Sequence, residues 1–319
     1  MLVLPIVVAV IGIAALWKGA DLLISSASSM AAKFGVSTAV VGITVVTLGS
    51  IAPELSIAVT SSASSANDLI IGNALGSSIL KIGLVLGLAA VVSPLAIQAS
   101  TLRHEFPWLI AAALLAYLLA FDLTISRADA AFLIVVGIAF QWYSVWVSKR
   151  EVIEEIGKRK AKKRQHETFR TGYAWLKVLF GIVLVVLGAK FFVASSLTIA
   201  QALHIPQLLV GIVIIAMGAS VPELVVTVMS SARHVPSLGI GNVIGSNVMN
   251  IHLVAGIAAL IHPLTIHPDL LRFDFPMFVF FTLLVSVMFK SNHKLSRLEG
   301  GVLVVGYMVY LAYSIRLWG

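Results

Sequence analysis

Residues 49–54 read Gly-Ser-Ile-Ala-Pro-Glu, and residues 72–77 read Gly-Asn-Ala-Leu-Gly-Ser. Each block recurs 169 residues later, as Gly-Ala-Ser-Val-Pro-Glu over 218–223 and as Gly-Asn-Val-Ile-Gly-Ser over 241–246. The same offset aligns further positions without a gap, including Gly19 with Gly188, Gly87 with Gly256 and Pro94 with Pro263. Self-similarity at one constant offset indicates an internal duplication.

The composition places both copies in a membrane. Of 319 residues, 59% are hydrophobic and 11% are charged, whereas a soluble domain carries about 25% charged residues. A membrane-spanning helix needs about 20 mostly apolar residues. The sequence predicts ten such helices, near 2–20, 36–62, 69–93, 105–121, 128–147, 173–197, 207–231, 238–261, 274–290 and 297–316. These runs are apolar on all sides, which favours an all-α bundle over a β-barrel of alternating strands.

Each half of the chain holds five predicted spans, and an odd number brings the second half into the membrane from the opposite side. The sequence therefore predicts two inverted five-helix repeats, at 1–147 and 173–319, joined by a basic cytoplasmic loop at 148–172. Inverted repeats are typical of secondary transporters, which bind their substrate near the membrane midplane on interrupted helices.

The positions of Lys and Arg predict the orientation. With 148–172 in the cytoplasm, fifteen Lys and Arg residues lie on that side and three on the other, so both termini lie outside. The first apolar stretch lacks a basic leader and a small-residue cleavage site, so we interpret it as the first span. We expect an integral protein of a prokaryotic plasma membrane.

Two carboxylates, Glu54 and Glu223, lie deep inside predicted spans, and we expect no others there. They occupy equivalent positions in the two repeats, each directly after a proline. The alternative explanation for each glutamate is a structural carboxylate, neutralised by a proton or a salt bridge, that only holds helices together. A charge at membrane depth costs several kcal/mol, about 2.5–3.5 or more, so a symmetric pair indicates an ion site.

Polar residues at helical spacing surround these two carboxylates. Pro53 and Pro222 each remove a backbone donor and so free carbonyl oxygens beside the glutamates, and such all-oxygen surroundings suit a hard cation. Thr47 and Ser50 share a helix face with Glu54, and Ser220 lies three residues before Glu223. The neighbouring segments contribute a second face, the stripes Asn73-Ser77-Lys81 and Asn242-Ser246-Asn250. The serines either bind a cation or donate to their own helix carbonyls.

The four blocks resemble signatures of the calcium/cation antiporter superfamily, in its sodium/calcium exchanger branch of the prokaryotic ten-helix type. The Pro-Glu blocks are similar to G-T-S-x-P-E, and the Gly-Asn blocks are similar to the G-N-x-x-G-S motifs that follow. The resemblance covers the whole chain. It implies calcium at the centre between Glu54 and Glu223, with backbone oxygens at or near Thr47, Ser50 and Ala219. It also implies flanking sodium sites that use Ser50 and Ser77 on one side and Ser220 and Ser246 on the other.

Three positions depart from the family pattern. Ile51 replaces a motif serine, which removes a hydroxyl from one flanking site, and Ala219 replaces a motif threonine. The family places Asn or Asp where this chain has Lys81 and Asn250, and Asn250 stays a candidate ligand. Burial favours the uncharged amine of Lys81, whereas a carboxylate within about 4–6 Å favours its ammonium.

Three roles for Lys81 follow from the sequence. It either pairs with a glutamate when the cation leaves, or releases its proton when the cation binds, or points away while ordinary sodium/calcium exchange proceeds. We favour the first two together, which predict an antiporter with altered coupling.

The sequence therefore predicts a secondary-active antiporter that exports Ca²⁺ in exchange for Na⁺ or H⁺ by alternating access. The alternatives are exchange of Mg²⁺, Mn²⁺ or a monovalent cation, or a cation channel. The pattern G-x-x-x-x-G-K-[ST] is missing from the sequence, so we expect no coupling to ATP hydrolysis. An enzyme has no comparable need for the inverted symmetry, so we expect no enzymatic activity. We expect no cofactor, no nucleic acid and no obligatory protein partner, only inorganic cations and the lipid bilayer.

Overall fold

The computed structural model describes residues 3–63, 67–159, 174–202, 218 and 220–318, and these residues are mostly helical. Eight helical segments of the described residues, some of which include a π-helical turn, are long and apolar enough to cross a membrane, and Thr38–Ser50 and Val221–Ala232 are shorter apolar segments. The prediction of an all-α membrane protein is confirmed. The count of ten spans stays a prediction, because much of the predicted span at 207–231 lies outside the described residues.

The first half begins with one long helix and continues through two interrupted ones. Its helices are α1 (Val3–Phe34), α2 (Thr38–Val41), α3 (Thr47–Ser50), α4 (Ala52–Ala63), α5 (Asn67–Leu80), α6 (Leu86–Val92), α7 (Ala99–Leu119) and α8 (Arg127–Arg159). Single π-helical turns join α2 to α3 at Gly42–Val46 and α5 to α6 at Lys81–Val85. Two short strands are β1 (Leu95–Ala96) and β2 (Thr124–Ile125).

The second half repeats this order as far as it is described. Its helices are α9 (Ala174–Ala202), α10 (Val221–Ala232), α11 (Pro236–Met249), α12 (Ala255–Ile261), α13 (Phe275–Asn292) and α14 (Arg297–Trp318). A π-helical turn at Asn250–Val254 joins α11 to α12, and another at Leu270–Asp274 leads into α13. The strands are β3 (Leu264–Thr265) and β4 (Lys294–Leu295).

The strands show how the two halves are oriented. β1 pairs with β4, and β2 pairs with β3, in both cases antiparallel. The 21-residue helix α7 separates β1 from β2, so the equivalent strands β1 and β3 lie at opposite ends of the bundle. An inverted repeat requires this arrangement. We refer below to the β1–β4 end and the β2–β3 end.

Hydrogen bonds at the two ends are equivalent as well. The amide of Ile97 donates to the carbonyl of His293 at 3.0 Å, and the amide of Ile266 donates to the carbonyl of Leu123 at 2.8 Å. The acceptors Leu123 and His293 both have left-handed backbone angles, with φ of 62° and 51°. Each turn therefore stops one helix and aligns the strand that caps the other half.

Helices α1 and α9 pack along each other through four glycines. A Cβ on Gly12 would lie 2.9 Å from the carbonyl oxygen of Gly188, and a Cβ on Gly19 would lie 2.7 Å from that of Gly181. Small residues let membrane helices approach this closely. The sequence predicted that the first span ends near residue 20, but α1 continues to Phe34, because residues 21–34 bury apolar side chains such as Leu23 and Ala27 against the rest of the protein.

The segment predicted as a basic loop begins as helix. α8 extends to Arg159, and residues 160–172 lie outside the described residues.

Two neighbouring glycines on α14 provide a test of the packing. A Cβ on Gly300 would lie 2.7 Å from the Ala90 Cβ and 2.7 Å from the Gly87 carbonyl oxygen, whereas a Cβ on Gly301 would meet nothing within 4 Å. We expect Gly300→Ala to lower the free energy of unfolding by about 1–3 kcal/mol through overpacking. Gly301→Ala should change it little or raise it by about 0.5–1 kcal/mol, because alanine favours the helix. Thermal unfolding in detergent measures both, and equal melting temperatures for the two variants would contradict this packing.

Candidate functional site

The helix breaks predicted at the two prolines are present. α3 ends at Ser50 and α4 begins at Ala52, and α10 begins at Val221 after a turn at Ser220. Proline has no N–H to donate to the carbonyl four residues before it, so Pro53 and Pro222 leave the carbonyls of Gly49 and Gly218 without that helical donor. Glu54 and Glu223 lie in the first turns of α4 and α10, directly after these breaks.

The side chain of Lys81 connects the two glutamates. Its Nζ donates to Oε1 of Glu54 at 3.0 Å and lies 3.4 Å from Oε1 of Glu223. All three side chains are 0% exposed. Lys81 therefore does not point away from the carboxylates, as the third of its three predicted roles requires. The pairing fits both other roles, and the choice between a counter-cation and proton release stays a prediction.

The charges of this group do not cancel. With all three groups ionised, two carboxylates and one ammonium carry a net charge of −1. An ion pair buried this completely holds together strongly, because effective dielectric constants inside proteins are far below that of water. Taking the charges out of water still costs several kcal/mol for each ion, roughly, so the group is stable only while every carboxylate has a cationic partner.

Lys81 and Asn250 are equivalent residues with different partners. Each begins a π-helical turn, a feature frequent at functional sites. Asn250 donates from Nδ2 to the Ser77 Oγ across the interface at 2.9 Å. The equivalent contact from Lys81 to Ser246 is not made in the described structure, because the longer lysine side chain turns to the carboxylates.

Asn242 organises the hydroxyls on one side of the site. Thr47 donates from Oγ1 to the Gly42 carbonyl at 2.9 Å and lies 3.4 Å from the Asn242 Oδ1. Ser50 donates from Oγ to the same Oδ1 at 3.3 Å. Because these hydroxyl protons turn toward protein acceptors, the oxygen lone pairs of Thr47 and Ser50 stay available to a cation.

The site is rich in acceptors and poor in donors. Around the two glutamates, the described buried atoms without a hydrogen-bond partner include both carboxylate oxygens of Glu223, Oε2 of Glu54, Oγ of Ser220 and Oδ1 of Asn250, against one donor, Nδ2 of Asn242. Buried polar atoms are rarely left without a partner. An excess of oxygen acceptors over donors is the surrounding that a hard metal cation prefers.

The remaining predicted residues occupy different positions. Ser246 donates to the carbonyl of Val243 at 3.2 Å, and Pro222 is buried beside Glu223. Asn73 is half-buried on α5, one turn before Ser77. Ala219 and the side chain of Pro53 lie outside the described residues. No cluster of three or more His, Cys, Asp or Glu occurs among the described residues. The assignment of metal ligands stays a prediction.

The expectation that only Glu54 and Glu223 lie deep in spans is wrong. Glu105 and Asp274 are each 4% exposed, and Asp274 accepts a hydrogen bond from the Tyr310 hydroxyl at 2.7 Å. The hydropathy pattern places both residues at the first position of a span, but the helix of Glu105 begins at Ala99 and the π-helical turn of Asp274 begins at Leu270. Their separation by the repeat offset of 169 is the signal that could have revealed them.

Comparisons with known proteins agree on one family. Residues 4–146 and 173–316 match the sequence model of the family described as sodium/calcium exchanger protein. The sodium/calcium exchanger MaX1 of Methanosarcina acetivorans is 30% identical over 346 residues, which cover 98% of each chain. The putative antiporter CaxA of Alkalimonas amylolytica is 31% identical over 313 residues, 97% of this chain and 98% of the relative.

Solved structures show the same similarity in three dimensions. The sodium-calcium exchanger NCX_Mj, soaked with zero Na⁺ and Ca²⁺, matches with a TM-score of 0.84 and 26% identity, over 98% of this chain and 99% of that chain. The same exchanger soaked with 2.5 mM Na⁺ and 10 mM Sr²⁺ also matches with a TM-score of 0.84, at 27% identity.

The buried pairing predicts how stability responds to removing the lysine. Lys81→Met leaves two carboxylates without a cation, so in chelator-containing buffer we expect it to cost about 3–5 kcal/mol of stability. The double variant Lys81→Met/Glu54→Gln should regain part of this loss, because only one carboxylate then remains.

Thermal unfolding in detergent, with and without added Ca²⁺, measures this effect. Lys290→Met, at an exposed lysine on α13, is the matched control. A Lys81→Met variant as stable as the control would contradict the buried pairing.

Proposed function

The chain belongs to the sodium/calcium exchanger protein family, and from this premise we propose that it exports Ca²⁺ in exchange for Na⁺ or H⁺, with Lys81 as a tethered counter-cation. Its relatives and structural neighbours make it a cation antiporter of the exchanger type. The single observation that carries the finer proposal is the position of the Lys81 Nζ, 3.0 Å from Glu54 and 3.4 Å from Glu223.

The ligands available for the cation support a divalent substrate. Two carboxylates, two helix breaks with free carbonyl oxygens and several hydroxyls form an all-oxygen site, and Ca²⁺ takes six to eight oxygen ligands. The candidate ligands are Glu54, Glu223, Thr47, Ser50, Ser77, Ala219, Ser220, Ser246 and Asn250.

Binding of such a cation at Oε1 of the two glutamates requires that Lys81 gives up its contacts. The ammonium occupies Oε1 of both glutamates, and a metal that binds these oxygens must displace it. Lys81 and the metal therefore compete for the same two carboxylates. When the metal leaves, the ammonium returns and again neutralises one of the two negative charges.

This competition explains how exchange is coupled. Switching the site from one side of the membrane to the other with two uncompensated carboxylates would carry a high electrostatic cost. The protein therefore switches only when cations are bound. With Lys81 in place, the net charge is −1, and one monovalent cation or one proton completes the neutralisation. The return step thus needs fewer counter-ions than a site with an uncharged residue at position 81.

We further propose the orientation that the Lys and Arg distribution predicts. Both termini lie outside a prokaryotic plasma membrane, and the segment 148–172 lies in the cytoplasm. Access to the site alternates between the two sides of the membrane as the inverted repeats exchange conformations. Its partners are inorganic cations and the surrounding lipid.

One observation favours a second candidate function. The net charge of −1 is balanced by a single monovalent cation, whereas a divalent cation leaves an excess positive charge while Lys81 stays protonated. Exchange of monovalent cations is therefore the alternative substrate class.

The test is Ca²⁺ uptake into proteoliposomes under an imposed Na⁺ gradient and, separately, under an imposed H⁺ gradient. We expect uptake with at least one gradient, and none in Glu54→Ala, which lacks a central ligand. Lys81→Asn should need more counter-ions for each Ca²⁺, because the tethered charge is gone, and Lys290→Asn should behave as wild type.

The outcomes separate the alternatives. Counter-ion flux measured beside Ca²⁺ flux gives the coupling ratio, and an unchanged ratio in Lys81→Asn would contradict the tethered counter-cation. Na⁺ or K⁺ exchange without any Ca²⁺ uptake would establish the monovalent alternative, and a steady conductance without counter-flow would identify a channel.

A further inference from the structure

An ion pair outside the central site joins the layer formed by α1 and α9 to the core. Asp21 on α1 accepts from the guanidinium of Arg233, and its other carboxylate oxygen lies 3.6 Å from the Lys18 Nζ. Arg233 is the residue that follows α10, the helix whose first turn carries Glu223. The pair therefore fixes the far end of a ligand-bearing helix to a different layer.

The pair lies at the β1–β4 end. Ser231, two residues before Arg233, donates to the carbonyl of Ser93 in the connection that leads to β1, at 2.9 Å. Between Glu223 and Arg233, α10 presents Thr227 and Ser230, both 0% exposed. This polar stripe leads from the β1–β4 end to the central carboxylates.

The serine contact beside this pair has an equivalent at the opposite end. The Ser231 hydroxyl donates to the Ala89 carbonyl at 2.9 Å, and the equivalent Ser62 hydroxyl donates to the Ala258 carbonyl at 2.8 Å. The Asp21–Arg233 pair has none, because the sequence places Lys190 and Ser64 at the equivalent positions.

In an inverted repeat, opening one end is the same rearrangement as opening the other, with the halves exchanged. Contacts present at both ends therefore favour neither state, and a contact present at one end shifts the population. We propose that Asp21 and Arg233 form a latch that holds the β1–β4 end closed and thereby sets the ratio of the two access states. The inference rests on the alternating access proposed above, but not on the identity of the cation.

The chain contains no cysteine, so single introduced cysteines can report access to each end. Thr227→Cys reports the β1–β4 end, and the equivalent Ala58→Cys, at a residue 2% exposed, reports the β2–β3 end. Labelling rates with a maleimide are measured on the purified full-length protein in cation-free buffer. Each reporter is combined with Arg233→Ala, with Asp21→Asn, with the double variant Asp21→Arg/Arg233→Asp, and with the control Lys177→Ala, at an exposed lysine on α9.

We expect the maleimide to label Thr227→Cys about two- to fivefold faster when Arg233→Ala or Asp21→Asn is also present. This is the change in rate that loss of a partly exposed ion pair produces. In the presence of the same substitutions, the labelling rate of Ala58→Cys should fall, because one end opens as the other closes. The double variant Asp21→Arg/Arg233→Asp should restore both rates, and Lys177→Ala should leave them unchanged.

Faster labelling at both reporters would mean local loosening and would overturn the latch, as would unchanged rates or a double variant that restores nothing. Monodisperse elution and thermal unfolding verify that each variant is folded. If Arg233→Ala does not fold, Asp21→Asn tests the latch in its place. Labelling needs no transported cation. The labelling experiment can therefore support the latch even if calcium transport is not found. Equally, calcium transport can be found even if the labelling rates contradict the latch.

Discussion

Two carboxylates enclosed in an apolar bundle are the constraint on which the rest of this structure depends. Neither Glu54 nor Glu223 is exposed, and an uncompensated charge in such surroundings costs several kcal/mol, roughly. The chain meets this constraint with a residue of its own, since the Lys81 ammonium contacts both carboxylates. Any cation that binds between them competes with a ligand that never leaves the protein.

The inverted repeat places the two equivalent glutamates together between the halves. The features that distinguish this chain are the positions at which the two halves are not equivalent. Equivalent strands, turns and serine contacts recur at both ends of the bundle. Lys81 and Asn250 are equivalent in position yet bind different partners, and the Asp21–Arg233 pair occurs at one end. The symmetric contacts fit the proposed opening at either end, whereas Lys81 sets the net charge of the site and the Asp21–Arg233 pair forms the proposed latch.

The sequence predicted the membrane fold and the positions of the two glutamates, because apolar length and a constant offset are local, countable properties. It did not decide among the three roles of Lys81, since a flexible four-carbon side chain reaches in several directions and its partners lie on other helices. It placed Glu105 and Asp274 at span edges, because helix starts near short strands carry no hydropathy signal. The latch was not foreseen, since residues 21 and 233 meet only in the folded protein.

Calorimetric titration of Ca²⁺ into the detergent-solubilised protein, for wild type and Lys81→Asn side by side, tests the central claim most directly. If the ammonium competes with the metal for Glu54 and Glu223, removing it should tighten Ca²⁺ binding by at least about tenfold, which corresponds to roughly 1.4 kcal/mol. Equal or weaker Ca²⁺ binding by Lys81→Asn would contradict the account, because the lysine would then not be the ion that the metal displaces.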